Sequence, residues 1–111
     1  MKDKKIVVTI IVYTRFENMK LWINCWKRCD QLNAELRIIH NYDKTEDCNK
    51  FRDYCTENSI TYIPRKNIGM DIGAFQDVCK ERLKGFDNNW DILLWCTDDA
   101  IPMRKDFLIL L

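Results

Sequence analysis

Apolar residues along the 111-residue chain follow two alternating rhythms. Lys5 to Tyr13 (KIVVTIIVY) is a continuous, largely β-branched run, the pattern of a strand covered on both faces in a parallel sheet. From Asn18 the period lengthens. Met19, Trp22, Ile23, Trp26 and Cys29 recur at helical steps, predicting an amphipathic helix with Lys20, Lys27 and Arg28 turned outward. Glu35 to Tyr42 (ELRIIHNY) returns to strand character. Thr45 is placed to cap a second helix whose apolar stripe is Cys48, Phe51 and Cys55. Ile60 to Ile63 reads as a short strand closed by Pro64. After Asn67-Ile68-Gly69 a third helix starts near Asp71. It is expected to turn Ile72, Phe75, Val78, Cys79 and Leu83 inward, with Gly85 at its terminating glycine position. Asp91 to Cys96 (DILLWC) is a fourth strand, continuous and therefore expected to be central.

The resulting order, β-α-β-α-β-α-β, predicts an α/β fold built on an open, mainly parallel sheet with right-handed crossovers. No repeat, linker or low-complexity segment divides residues 1–111, so one domain is expected. Asp106 to Leu111 forms an apolar stretch with no cap, turn or polar tail. This predicts a domain incomplete at its C-terminus, or one whose edge is covered by a partner or a second copy.

Composition narrows the classes. Eighteen Lys+Arg against 17 Asp+Glu give a net charge of +1, and no basic stripe interrupts the pattern, which argues against nucleic acid as the partner. No apolar run reaches the roughly 18 residues of a membrane span. The run after Met1-Lys2-Asp3-Lys4-Lys5 leads into Tyr13-Thr14-Arg15 rather than a small-residue cleavage site, so it is read as a strand and not a signal peptide. Six cysteines are many for this length. They fall mostly at apolar-periodic positions, form no C-x-x-C pair and are accompanied by a single histidine, His40. They read as small packed hydrophobes in a reduced, cytoplasmic protein rather than as a disulfide framework or a zinc site.

In open α/β sheets, ligands bind beyond the carboxyl ends of the strands where the strand order reverses. The residues expected there are Tyr13, Thr14 and Arg15; Asp43; Arg65, Asn67, Gly69 and Asp71; and Thr97, Asp98 and Asp99. Asp98-Asp99 admits two readings. Adjacent carboxylates at the end of a buried strand repel unless a cation intervenes, and Mg²⁺ or Mn²⁺ takes oxygen ligands from one or two carboxylates plus phosphate. Asp-Asp-Ala before Pro102 is equally good turn composition. Asp71 likewise suits either a site or charge stabilisation of a helix start. Gly69 offers a positive φ and Gly73 a close approach of the helix to sheet or ligand. Neither G-x-G-x-x-G nor a phosphate-loop motif is present. His40, Trp22 and Trp26 read as packing residues, and Trp90 as a residue of the rim.

Three segments together resemble family 2-type glycosyltransferases with the GT-A fold, nearest their rhamnan-synthesis branch. Ile11-Val12-Tyr13-Thr14-Arg15-Phe16-Glu17-Asn18-Met19 is similar to a V-x-x-Y-N-R-x-x-x-L opening, with Thr14 in place of Asn. Asn67-Ile68-Gly69-Met70-Asp71-Ile72-Gly73-Ala74 resembles an N-x-G-x-D-x-G-A segment. Thr97-Asp98-Asp99 resembles the D-x-D region, with Thr97 in place of its first Asp. The resemblance implies the Rossmann-like nucleotide-binding half of that fold, a nucleoside-diphosphate sugar as donor, a saccharide acceptor, and Mg²⁺ or Mn²⁺. It implies that Tyr13 lines the base pocket, Asp43 accepts from the nucleobase, Asp71 closes over the nucleoside, Asp98 contacts ribose and Asp99 binds the metal. The family's acceptor site and catalytic base follow the D-x-D strand, so donor binding is implied more directly than turnover. Two other classes fit the same residues: a non-catalytic module that serves as an interaction partner, and metal-dependent phosphoryl chemistry at the acidic pair.

Overall fold

The computed structural model describes residues 4–100 and Leu108. The elements are β1 (Ile6–Val12), α1 (Phe16–Lys27), β2 (Glu35–Tyr42), α2 (Cys48–Glu57, entered through a 3-10 turn at Thr45–Asp47), β3 (Thr61–Lys66), α3 (Met70–Cys79) and β4 (Ile92–Thr97). The four strands pair in the order β3-β2-β1-β4, and every pairing is parallel. The open parallel α/β sheet expected from the alternation is therefore the architecture of the chain.

The β-branched run of β1 is explained by its place in that sheet. Ile6, Val8, Ile10 and Val12 pack with Met19, Trp22, Ile23 and Trp26 of α1, Phe51 and Cys55 of α2, and Leu108. Val7 and Ile11 face the opposite way, into a smaller core with Ile39, Ile63, Ala74, Val78 and Phe86. Every residue of β1 is buried as a result. The helices after β1 and β2 cover one face, and α3, which carries the chain back across to β4, covers the other. The strand order thus reverses between β1 and β4, and the ligand-binding crevice of such sheets opens at this point.

Several local expectations are corrected. Thr45 makes no side-chain cap and lies inside the 3-10 turn, whose capping position is Lys44. β3 runs through Pro64 to Lys66. As an edge strand it needs ladder donors on one side only, so proline is tolerated. β4 is the other edge of the sheet among the described residues, and all six of its residues are half-buried rather than enclosed. α3 turns Ala74 and Val78 inward, while Ile72 (69% exposed) and Phe75 (43%) face out and Cys79 is exposed. Apolar residues are spread widely around α3, between Asp71, Gln76 and Asp77, so its period does not choose a face. The face that packs on the sheet is the one with Ala74 and Val78. The helix ends at Cys79 and Glu81 takes the left-handed conformation after it (φ 56°), so Gly85 belongs to a later turn. The six cysteines form no disulfide, and Cys48 and Cys55 are buried. The expectations for residues 106–111 lie outside the described residues, apart from Leu108, which is buried. No helix among the described residues is long and apolar enough to cross a membrane.

Candidate functional site

Five elements bring polar side chains to the carboxyl end of the sheet. Asn41, near the end of β2, is fully buried. Its Oδ1 accepts from Arg65 Nη1 of β3 at 2.9 Å, and its Nδ2 donates to the Met70 carbonyl at the start of α3 at 3.0 Å. Arg65 also donates to Asp77 Oδ2 through Nε and to the Ile68 carbonyl through Nη2, both at 2.7 Å. The guanidinium holds the Asp77 carboxyl below the usual carboxylate range, and Arg82 adds to the effect. A buried planar fork is thereby satisfied on three sides by fixed acceptors, a geometry lysine cannot reproduce.

Tyr13, just past β1, is half-buried beside this network. Its phenol is pushed up by burial first and by the negative charge of Asp71 second. A hydrogen bond with the Asn41 side chain and the charge of Arg65 oppose the rise, while Asp98 reinforces it. The charges of Asp71 and Asp98 thus both act on the Tyr13 phenol from beyond the carboxyl end of the sheet. Asp71 also accepts from the Ile72 N–H at 3.1 Å, so it orders the first turn of its own helix.

The acidic pair sits on a tight turn. The Thr97 carbonyl accepts from the Ala100 N–H at 3.2 Å, and the Ala100 carbonyl accepts from the Trp22 indole N–H at 2.8 Å, which ties the turn to α1. Burial raises the Asp98 carboxyl, the charge of Asp99 raises it further, and Arg15 partly compensates. Asp99 is exposed and accepts from the Thr97 hydroxyl. Turn geometry and mutual repulsion are therefore both present. No group of three His, Cys, Asp or Glu side chains among the described residues is arranged to hold a metal ion. The raised Asp98 carboxyl and its neighbour Asp99 offer the oxygen ligands a hard cation takes, with its other ligands drawn from a diphosphate and water.

Asp43 and Asn67 form a second, smaller group: Asn67 Nδ2 donates to Asp43 Oδ1 at 3.1 Å, and Asn67 Oδ1 is buried without a partner. Thr14 is exposed, and its carbonyl accepts from the Phe16 N–H at 3.1 Å as the chain enters α1. His40 is a packing residue, stacked on Phe51 at 3.9 Å between ring centroids and 2.7 Å from the Tyr62 hydroxyl. A cleft of about 450 Å³ lined by Trp26, Glu35, Asn58 and Thr61 lies at the opposite, amino-terminal end of the strands.

Asn41, which joins the ends of β1 and β3 to the start of α3, is absent from the sequence-derived set. The one available signal was a polar residue following Ile38, Ile39 and His40 in a strand expected to be buried. Arg65 stood among the strand-end residues, but its role as the second hub did not follow from that. No protein-family model, curated protein or solved structure matches the chain.

Proposed function

We propose that this chain is a donor-binding domain of glycosyltransferase type, taking a nucleoside-diphosphate sugar at the crevice between β1 and β4. One observation supports the reading above the others. Tyr13 follows β1 beside the point where the strand order reverses, and the charges of Asp71 and Asp98 both act on its phenol. In this reading Tyr13 flanks the base, Asp71 and the Asp43–Asn67 pair take nucleoside hydroxyls or base edges, Asp98 takes ribose, and Thr14 lies at the rim. Asp99, with Asp98 beside it, would hold Mg²⁺ or Mn²⁺, which when bound neutralises diphosphate charge and improves it as a leaving group. Transfer to a saccharide hydroxyl further needs a general base, so donor binding is the activity assigned to this chain and transfer to a protein completed by an acceptor-binding half. Six cysteines without a disulfide suit a reducing, cytoplasmic setting.

Calorimetric titration of UDP, GDP and dTDP, with and without Mn²⁺, tests the proposal. Binding of one nucleotide that strengthens with Mn²⁺ and loses that dependence in Asp99→Ala is the expected result. Absence of binding to all three, or binding indifferent to Asp99→Ala, refutes it. The half-exposed apolar edge at β4 favours a second reading, a non-catalytic module that pairs with another chain there. A strict monomer in concentrated sedimentation runs would count against that version.

A further inference from the structure

We infer that Asn41 is the positioning residue of the Ile68–Asp71 shoulder: its buried amide, with Arg65, holds Met70 in a left-handed path and so sets the direction in which α3 presents Asp71. Its value as a ligand-positioning device rests on the donor-site reading, but the backbone role does not.

The backbone of the shoulder is left-handed at two successive residues, Gly69 (φ 76°) and Met70 (φ 54°), and Met70 carries a side chain. A residue with a Cβ takes that conformation at a cost that its surroundings must offset. Packing is not what determines it here, because the Met70 side chain is 61% exposed and that of Ile68 65%. What remains is hydrogen bonding from the sheet. Asn41 Nδ2 grips the Met70 carbonyl at 3.0 Å, and Arg65 Nη2 grips the Ile68 carbonyl at 2.7 Å. Arg65 Nη1 on Asn41 Oδ1 at 2.9 Å fixes the amide so that its nitrogen faces the shoulder. The two grips bracket Gly69, whose own carbonyl accepts from the Gly73 N–H at 2.8 Å and starts the helix. Asp71 follows Met70 directly, so the direction of its side chain is set by this turn.

Amide hydrogen exchange at Gly73 reads the shoulder without any ligand. In Asn41→Asp the retained carboxylate oxygen still accepts from Arg65, while the donor to Met70 is replaced by an oxygen that repels the carbonyl. Exchange at Gly73 is expected to quicken about tenfold, the size of one lost hydrogen bond. Met70→Gly, which adopts the left-handed path freely, should leave exchange unchanged by itself and restore protection when combined with Asn41→Asp. A residue that merely fills the core would not be rescued in this way. Unchanged exchange in Asn41→Asp, no rescue in the double variant, or faster exchange in Met70→Gly alone overturns the inference. Should Asn41→Asp fail to fold, the Met70→Gly single variant decides. Nucleotide affinity is expected to follow exchange across the four proteins. If the native protein binds no nucleoside diphosphate while the exchange cycle behaves as described, the donor reading falls and the role of Asn41 stands.

Discussion

Gly73→Ala is the sharpest available perturbation of the shoulder. An added Cβ would fall 2.3 Å from the Ile68 carbonyl oxygen and 2.9 Å from Arg65 Nη2. The first of these is backbone, held in place by the 2.7 Å hydrogen bond from Arg65, so the shoulder itself must move. Overfilling of this kind costs about 1–3 kcal/mol, and the charged hydrogen bond weakened alongside contributes about 1 kcal/mol more. Alanine is the better helix former by about 1 kcal/mol, which offsets part of this. The net expectation is a loss of about 2 kcal/mol, or a fall of roughly 10 °C in Tm for a domain of this size. Urea and thermal unfolding followed by circular dichroism measure it, with Gln76→Ala on the exposed face of α3 as the neutral control. A Gly73→Ala protein as stable as the native one, or more so, would show that propensity decides and that the Ile68 carbonyl is not seated against the helix.

Burial, only partly opposed by the Tyr13 backbone and nearby carboxylates, holds His40 down at about 4 against an ordinary 6.5. The unfolded chain therefore takes up the proton first. Stability is expected to fall by about 3 kcal/mol as pH drops from the ordinary to the folded value, and the ring resonance of this sole histidine, titrating near 6.5 instead, would contradict it. Asp98 is raised by burial and by Asp99, so its contribution to stability is present at low pH and lost as pH rises through the carboxylate range. Asp98→Asn should accordingly raise Tm at neutral pH while weakening Mn²⁺-dependent nucleotide binding, and paired melts and titrations compare the two. Among the thiols, Cys79 is exposed whereas Cys48 and Cys55 are buried, and burial lifts Cys55 to about 12. A thiol-reactive probe read by mass spectrometry should label Cys79 first, and Cys48 and Cys55 only on unfolding.

What could be read from the residues follows from what each pattern encodes. β2 has the limits its apolar run suggests, Glu35–Tyr42, because both its faces are covered. The run in β4 looked the same and was expected at the centre, yet among the described residues it forms an edge, since apolar residues on both sides of a strand report potential burial and not the presence of a neighbour on each flank. α3 misled for a related reason: with Ile72, Phe75, Ala74 and Val78 all apolar, periodicity carries no direction, and only the packed structure shows that Ala74 and Val78 form the inner face. Among the candidate residues, the strand-end positions of Tyr13 and Asp98 were legible because parallel topology sends strand ends to one side. Asn41 was not, because a buried side chain's partners depend on register. The pairing of Asn41 with Arg65 across β2 and β3 is a property of the assembled sheet.

The register also governs when the molecule can form. β1 is synthesised before the other three strands, yet it ends in the middle of the sheet, and its second flank closes only when Lys5 meets Asp91, 86 positions later. With each strand pair joined through a crossover rather than a hairpin, few native contacts reward the chain early. A nascent chain would carry its most water-averse strand with one side unzipped until β4 has been made, a long interval in which chaperone capture and mispairing compete with closure of the sheet.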